Sequence, residues 1–269
     1  MIEESMDEKT YDMFRKLIYD KAGIALGTGK HALVHARLGK RLRALGLSDY
    51  DSYLKYLIQD SSQEEIIQLL DVISTNTTSF FRESIHFELL TEIVNNWIKS
   101  GKKRLRVWCA AASTGEEPYT LSMVCQEAFK GTTVDLKILC TDISTKVLRI
   151  SKEGEYSFDK MSGIPTEYRN RWFEVGHDPQ KLRATEALRA PLTFARLNLM
   201  ENPYPMQGPF DVVFCRNVMI YFDRDGREKF VKEAYRLLAP GGYLFTGHSE
   251  SLTGIANGLK TIKPSVYQK

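Results

Sequence analysis

The 269-residue sequence has only four cysteines, and no two of them stand in a CxxC pair. This excludes the usual spacings of zinc and dithiol motifs, and it leaves Cys109, Cys125, Cys140 and Cys215 as reduced thiols in apolar, core-like contexts. No apolar window reaches the length of a membrane span, and the opening Met1-Ile2-Glu3-Glu4-Ser5 is acidic where a signal peptide would be apolar. A cytoplasmic protein with no membrane insertion is the expectation. Charge imbalance is also scarce: the formal net charge of +3 is too small to imply nucleic acid by itself. His31, His35, His86, His177 and His248 show no metal-ligand spacing with one another, so no metal is expected. Internal repeats and low-complexity tracts are lacking too.

What is present is an ordinary globular balance, 43% hydrophobic and 26% charged, arranged in two patterns. From Thr10 to about Leu70 apolar residues recur at helical spacing, as in Phe14, Leu17 and Ile18 or Leu38, Leu42 and Leu45. Turns fall at Gly27-Thr28-Gly29 and Gly46-Leu47-Ser48-Asp49, the second offering Ser48 as an N-cap. From Arg104 onward apolar runs alternate with helices. Strands are expected at Leu105–Cys109, Leu136–Thr141, Leu192–Leu197, Val212–Cys215 and Tyr243–Thr246, the last following a Pro240-Gly241-Gly242 turn. Such alternation predicts an α/β domain with a mainly parallel sheet. The boundaries predicted are a helical domain over 1–74, a linker and helix over 75–100, and an α/β domain over 101–269 with an insertion at about 155–191.

The most informative stretch is Val107-Trp108-Cys109-Ala110-Ala111-Ala112-Ser113-Thr114-Gly115-Glu116-Glu117-Pro118-Tyr119. A buried-strand signal runs into small residues and then opens a helix on paired acids, which suit the positive end of a helix, while Pro118 suits its first turn. An ordinary strand-to-helix turn would also read this way. As a ligand cradle, the acids would repel phosphate and favour a cationic or amine-bearing molecule such as S-adenosylmethionine. Asp142 ends the next strand about two dozen residues on, where an acid can accept both hydroxyls of a ribose. Dehydrogenases use the same device, but the turn here lacks GxGxxG and the chain after it is too short for a second nucleotide-binding half plus a substrate domain. Farther on, a buried strand ends at Arg216-Asn217 and leads to Tyr221. The polar run Ser74–Ser79 leads into Arg82, whose donor fork suits a carboxylate.

Taken together, Arg37-Leu38-Gly39-Lys40-Arg41-Leu42-Arg43, Thr75-Asn76-Thr77-Thr78-Ser79-Phe80-Phe81-Arg82-Glu83, the Ala111–Tyr119 turn, Thr141-Asp142-Ile143 and Phe214-Cys215-Arg216-Asn217-Val218-Met219-Ile220-Tyr221-Phe222 resemble the chemotaxis receptor glutamate methyltransferases, the CheR family. The resemblance covers nearly the whole chain. It implies a small all-α amino-terminal domain joined to a Rossmann-like, S-adenosylmethionine-dependent domain with a small β insertion. It also implies cofactor contacts from Asn76, Thr78, Arg82, one of Glu116 and Glu117 (Glu117 preferred), Asp142, Asn198 with Leu199, and Asn217 with Val218. The products would be a glutamyl methyl ester on a chemoreceptor's cytoplasmic helical bundle and S-adenosylhomocysteine. A glutamate with a pKa near ~4.3 is already ionised at neutral pH, so positioning, by Arg82 and Tyr221, carries more than a general base would.

Between Lys21 and Ser48 the chain has six Lys or Arg and no Asp or Glu. Such a block can be a solvated helix face, and without interleaved aromatics it does not suit nucleic acid. Beside the resemblance, Arg37, Lys40, Arg41 and Arg43 become the expected docking residues for an acidic receptor helix. Some relatives also tether a receptor's carboxyl-terminal pentapeptide through a glycine-bearing loop in the insertion. Here Val175-Gly176-His177-Asp178-Pro179-Gln180 is short for that loop, so tethering is not expected. A monomer is expected. The competing readings are a catalytically silent adaptor that binds cofactor or receptor, and a methyltransferase for a small molecule or nucleic acid.

Overall fold

Four amphipathic helices come first: α1 (Glu8–Ala22), α2 (His31–Leu45), α3 (Tyr50–Gln59) and α4 (Glu64–Ile73). They close around Phe14, Ile18, Leu38, Leu42, Tyr53 and Leu69, buried at the predicted helical spacing, together with Tyr11. The computed structural model describes residues 6–255 and 258–269, so the acidic opening Met1–Ser5 lies outside the described residues. The cap of α3 is Asp49 rather than Ser48. Its carboxylate accepts the Ser52 amide at 2.7 Å, whereas Ser48 stands one residue too early to serve the first turn. α1 ends at Gly23, whose φ of +66° suits glycine; a Cβ there would stand 2.3 Å from Met200 Sδ in the α/β domain.

The second part is a seven-stranded sheet of β1 (Arg104–Cys109), β2 (Asp135–Asp142), β6 (Leu192–Arg196), β7 (Phe210–Cys215), β8 (Leu238–Thr246), β9 (Lys260–Lys263) and β10 (Val266–Gln268), in the order β6-β2-β1-β7-β8-β10-β9. β6 to β8 in that order run parallel, and β10 is antiparallel to both its neighbours. β8 begins at Leu238, earlier than the expected Tyr243. The Pro240-Gly241-Gly242 turn is a bulge inside it: Phe210 faces Leu238, but Val212 already faces Tyr243.

Side chains of the central strands alternate between two cores, as a period of two requires. Val107, Cys109 and Phe214 pack on one side with α5 (Ile85–Lys99) and α6 (Glu116–Ala128), while Trp108, Val213 and Cys215 pack on the other with α10 (Arg224–Leu237). The four cysteines are all free and buried. α7 (Thr145–Glu153) follows β2. Between α7 and β6 lies a second, three-stranded sheet of β3 (Glu155–Ser157), β4 (Phe173–Val175) and β5 (Lys181–Ala184), with α8 (Thr166–Trp172) and α9 (Glu186–Arg189). It rests on Phe80 and Tyr119 through Tyr156 and Phe173. The architecture is therefore a Rossmann-like α/β sheet with a small β insertion, preceded by an all-α unit. Among the described residues, no helix is long and apolar enough to cross a membrane.

Candidate cofactor and catalytic site

The chain leaves β1 for β2 on one side and later enters β7 on the other, so the order reverses beside β1. Open α/β sheets bind ligands outside the carboxyl ends of their strands at such a switch point. There the structure has a cavity of about 1160 Å³, a volume that includes its open mouth. Its wall takes Ala110, Ala111 and Ser113 from the loop after β1, Glu117 from α6, Asp142 from β2, and Arg216 to Val218 from the end of β7. The helical unit supplies another wall, from Ala22, Ala25, Leu33 and Arg37, and the connecting segment contributes Asn76, Thr78 and Arg82.

The turn after β1 is held by its own ligands. Ser113, at φ +47°, donates its amide to Asp142 Oδ2 at 2.9 Å, and its hydroxyl donates to the Asn76 carbonyl at 3.0 Å, pinning the connecting segment to the turn. Asp142 also accepts the Ser144 amide at 2.9 Å. Burial raises its carboxyl above the usual range, although these two amides work against the shift. Gly115 opens α6 at φ +102°, and a Cβ there would lie 2.5 Å from both Ser151 Oγ and Tyr156 Oη. Only glycine fits.

The paired acids that follow have different fates. Glu116 is buried and is not among the cavity-lining residues; it is bound to the Thr114 hydroxyl at 2.6 Å and to Lys160 at 3.0 Å. Successive residues of a helix point about 100° apart, which is why only one acid of the pair can face inward. That one is Glu117. Burial raises its carboxyl, and the Arg216 guanidinium pulls in the opposite direction. Its oxygens receive the Cys109 thiol at 3.3 Å and Arg216 Nη1 at 3.0 Å.

Arg216 is a residue the motif reading noted but did not place in the site. Only 5% exposed, it is clamped between Glu117 and Glu83, whose Oε2 lies 3.1 Å from Nη2, and it donates to the Arg82 carbonyl. Burial works to raise the Glu83 carboxyl, but Arg216 and the Asn217 amide outweigh it and hold it below its ordinary value. The same surroundings, burial first and Arg216 second, lower the buried His86 imidazole to about 4. Asn217, at φ +58°, gives its amide to Glu250 Oε2 at 2.7 Å and its side chain to Glu83 Oε1 at 3.3 Å. Glu250 is itself buried and also accepts the Gly247 and Ile220 amides, so it shapes the loop from beneath.

The remaining expected residues divide in two groups. Arg82 donates to the Thr77 carbonyl at 2.9 Å from the cavity wall. Leu199 and Val218 line the cavity, as does Asn198, whose side-chain amide is spent on the Lys21 carbonyl of α1 and on Glu201. Tyr221 lines it too; its carbonyl accepts the Ala25 amide at 2.8 Å, and its hydroxyl has no hydrogen-bond partner among the described residues. Of the expected docking residues, Arg37 turns inward to the Ile73 carbonyl and Thr75. Arg41 is also engaged: it makes a bidentate pair with Glu65 at 2.9 and 2.6 Å, and the Tyr53 hydroxyl completes that buried carboxylate. Both placements have one cause, since a helix packed on one face cannot show all its basic residues to solvent. Lys40 and Arg43 stay exposed.

Family models agree with this division. The all-alpha domain of the CheR methyltransferases matches residues 9–74, and their SAM-binding domain matches residues 76–267. The chain belongs to the CheR methyltransferase family. Among curated relatives of this CheR-family chain, the chemotaxis protein methyltransferase of Salmonella typhimurium is 37% identical over 254 residues, covering 94% of this chain and 87% of the relative. Those of Borreliella burgdorferi and Escherichia coli are each 36% identical, covering 94% and 98% of this chain and 92% and 91% of the relatives. The SAM-binding domain makes S-adenosylmethionine the family's methyl donor, and the donor set around the cavity suits it. Glu117 and Asp142 bring two carboxylates to the cavity wall, and Glu117 shares the Arg216 guanidinium with Glu83.

Proposed function

We propose that this protein methylates glutamate side chains on the cytoplasmic helical bundle of chemoreceptors, forming glutamyl methyl esters. The observation that carries the reading is Glu117, a carboxylate on the cavity wall, 12% exposed, whose one cationic partner among the described residues, Arg216, is already shared with Glu83. Bound S-adenosylmethionine supplies an electrophilic methyl on a sulfonium, which a carboxylate can take to leave S-adenosylhomocysteine.

The residues of the chain do the rest by placement. In this reading Glu117 receives the ammonium of the methionine portion, and Arg82 with Asn217 and Val218 fixes its carboxylate end. Asp142 takes the ribose hydroxyls, because its oxygens are already oriented by the Ser113 and Ser144 amides. Tyr221, with a free hydroxyl at the wall, orients the reacting groups. A carboxylate and a sulfonium lose charge as they react, so walls that partly exclude water favour the transition state over the separated ions. Arg82 stays with cofactor geometry, since a clamp on the attacking oxygen would stabilise the charged reactant most.

Receptor choice falls to the exposed side of α2. Leu33, Ala36, Lys40 and Arg43 follow one another at helical spacing along that face, and Leu33 also lines the cavity. The small Ala36 between Leu33 and the two cations suits an acidic helix laid alongside and ending at the cavity mouth. Incubation with methyl-labelled S-adenosylmethionine and a panel of receptor cytoplasmic fragments tests the whole reading. Base-labile label on receptor glutamates is expected; label confined to nucleic acid or small molecules, or none at all with intact cofactor binding, would reject it.

A further inference from the structure

The sequence spacing of the histidines gives no hint of a shared site, yet folding brings two of them together. His86 from α5 and His248 from the loop after β8 meet edge to face with ring centroids 4.9 Å apart. Glu83 joins them: its Oε2 lies 3.5 Å from His86 Nδ1 and 3.9 Å from His248 Nε2, and one donor atom from each residue lies within 4.8 Å of the others. His86 is 2% exposed, and neither of its ring nitrogens has a hydrogen-bond partner among the described residues. Buried polar atoms without partners are rare in folded proteins and point to a bound species that completes them. Two imidazoles and a carboxylate are the donor set of a borderline transition-metal ion, with bonds of about 2.0–2.2 Å and an open fourth position. A tetrahedral ion of that kind holds neighbouring donors about 3.4 Å apart. The His86 and Glu83 atoms are already there, and the exposed His248 can rotate in.

We propose that Glu83, His86 and His248 form a binding site for a divalent ion of the zinc class, and that this ion opposes cofactor binding. The coupling comes from Glu83, whose Oε2 is also held by Arg216 at 3.1 Å and whose Oε1 receives Asn217. An ion drawing on that carboxylate loosens it from Arg216, which then turns its charge more fully onto Glu117. The site lies outside the cavity wall, and methyl transfer does not require it. The coupling, but not the ion site, rests on the function proposed above.

Calorimetric titration of Zn²⁺ into the tag-free, chelator-stripped full chain tests both parts. One equivalent is expected to bind at micromolar concentrations, and His248→Ala, at an exposed position, should weaken it at least about tenfold. His177→Ala, which removes the other histidine paired with a glutamate, should leave it unchanged. Co²⁺ in place of Zn²⁺ should give the visible absorption of a four-coordinate ion in the wild type and lose it in His248→Ala. Saturating Zn²⁺ should weaken S-adenosylhomocysteine binding at least about fivefold. No Zn²⁺ uptake below about 100 μM, or equal uptake by wild type and His248→Ala, overturns the site; unchanged S-adenosylhomocysteine affinity overturns the coupling. Failure of the metal-free protein to bind S-adenosylhomocysteine would instead sink the proposed function and leave the ion site standing.

Discussion

Replacing Glu117 with glutamine separates what this carboxylate does for the fold from what it does for a ligand. Arg216 has two carboxylate partners, at 3.0 and 3.1 Å, and loses only one of them. Breaking a buried ion pair costs about 3–5 kcal/mol when it strands a charge, so with Glu83 still in place the loss in Glu117→Gln should fall well below that range. Arg216→Met strands both Glu83 and Glu117 and should incur the full amount. For the ligand the arithmetic runs the other way. A charge-assisted hydrogen bond to an ammonium contributes about 1.5–3 kcal/mol, which becomes a loss of about 10- to 150-fold in affinity. The assay is calorimetry with two compounds: S-adenosylhomocysteine, which has the amino-acid portion, and 5′-methylthioadenosine, which lacks it. Only the first should bind more weakly to Glu117→Gln. Equal weakening of both would mean that glutamine has disturbed the cavity generally, and no weakening of either would remove Glu117 from the cofactor site.

Three other outcomes follow from the same geometry. Tyr221→Phe should lower turnover about 10- to 100-fold while leaving cofactor affinity within about twofold, as single-turnover kinetics beside calorimetry will read; the reverse pattern would reject its orienting role. Gly115→Ala should destabilise the protein by about 1–3 kcal/mol in urea melts, because a left-handed backbone and two hydroxyls 2.5 Å from the new Cβ oppose it; an unchanged midpoint would show that the turn can move. Lys40→Glu with Arg43→Glu should depress receptor methylation and its salt sensitivity while sparing S-adenosylhomocysteine binding, whereas Arg41→Glu should lower the melting temperature by repelling buried Glu65. Receptor methylation indifferent to the double reversal would move docking away from α2.

The strand-turn-helix segments were legible in sequence because their signals are local. A run such as Val107 to Glu117 carries its own burial pattern, turn and helix start, and parallel strands place such carboxyl ends side by side without further instruction. Pairings across the chain carry no such signal. Arg216 meets Glu117 from 99 residues away, and Glu250 reaches under Asn217 from 33 residues away. Neither distance leaves a periodic trace, so Arg216 reads from sequence as a polar end of a strand. The basic stretch was only partly legible. Periodicity marks a helix, but which of its cations face inward depends on Glu65 and the Ile73 carbonyl, groups whose positions only packing fixes. Similarly, Glu116 and Glu117 are equivalent in sequence until the helix is docked.

The contacts that bind α1 to the sheet have a consequence for how such proteins can change. The Lys21 carbonyl holds Asn198, the Ala25 amide holds the Tyr221 carbonyl, and Gly23 fits against Met200. The segment that leads into α2 is thus also masonry of the methyl-donor chamber. Exchanging the helical unit to redirect the enzyme to a different receptor would reshape the chamber at the same time. With docking on α2 as proposed above, altered targeting should therefore arise by recolouring its outward face, one side chain at a time, and not by swapping modules at the boundary near residue 75.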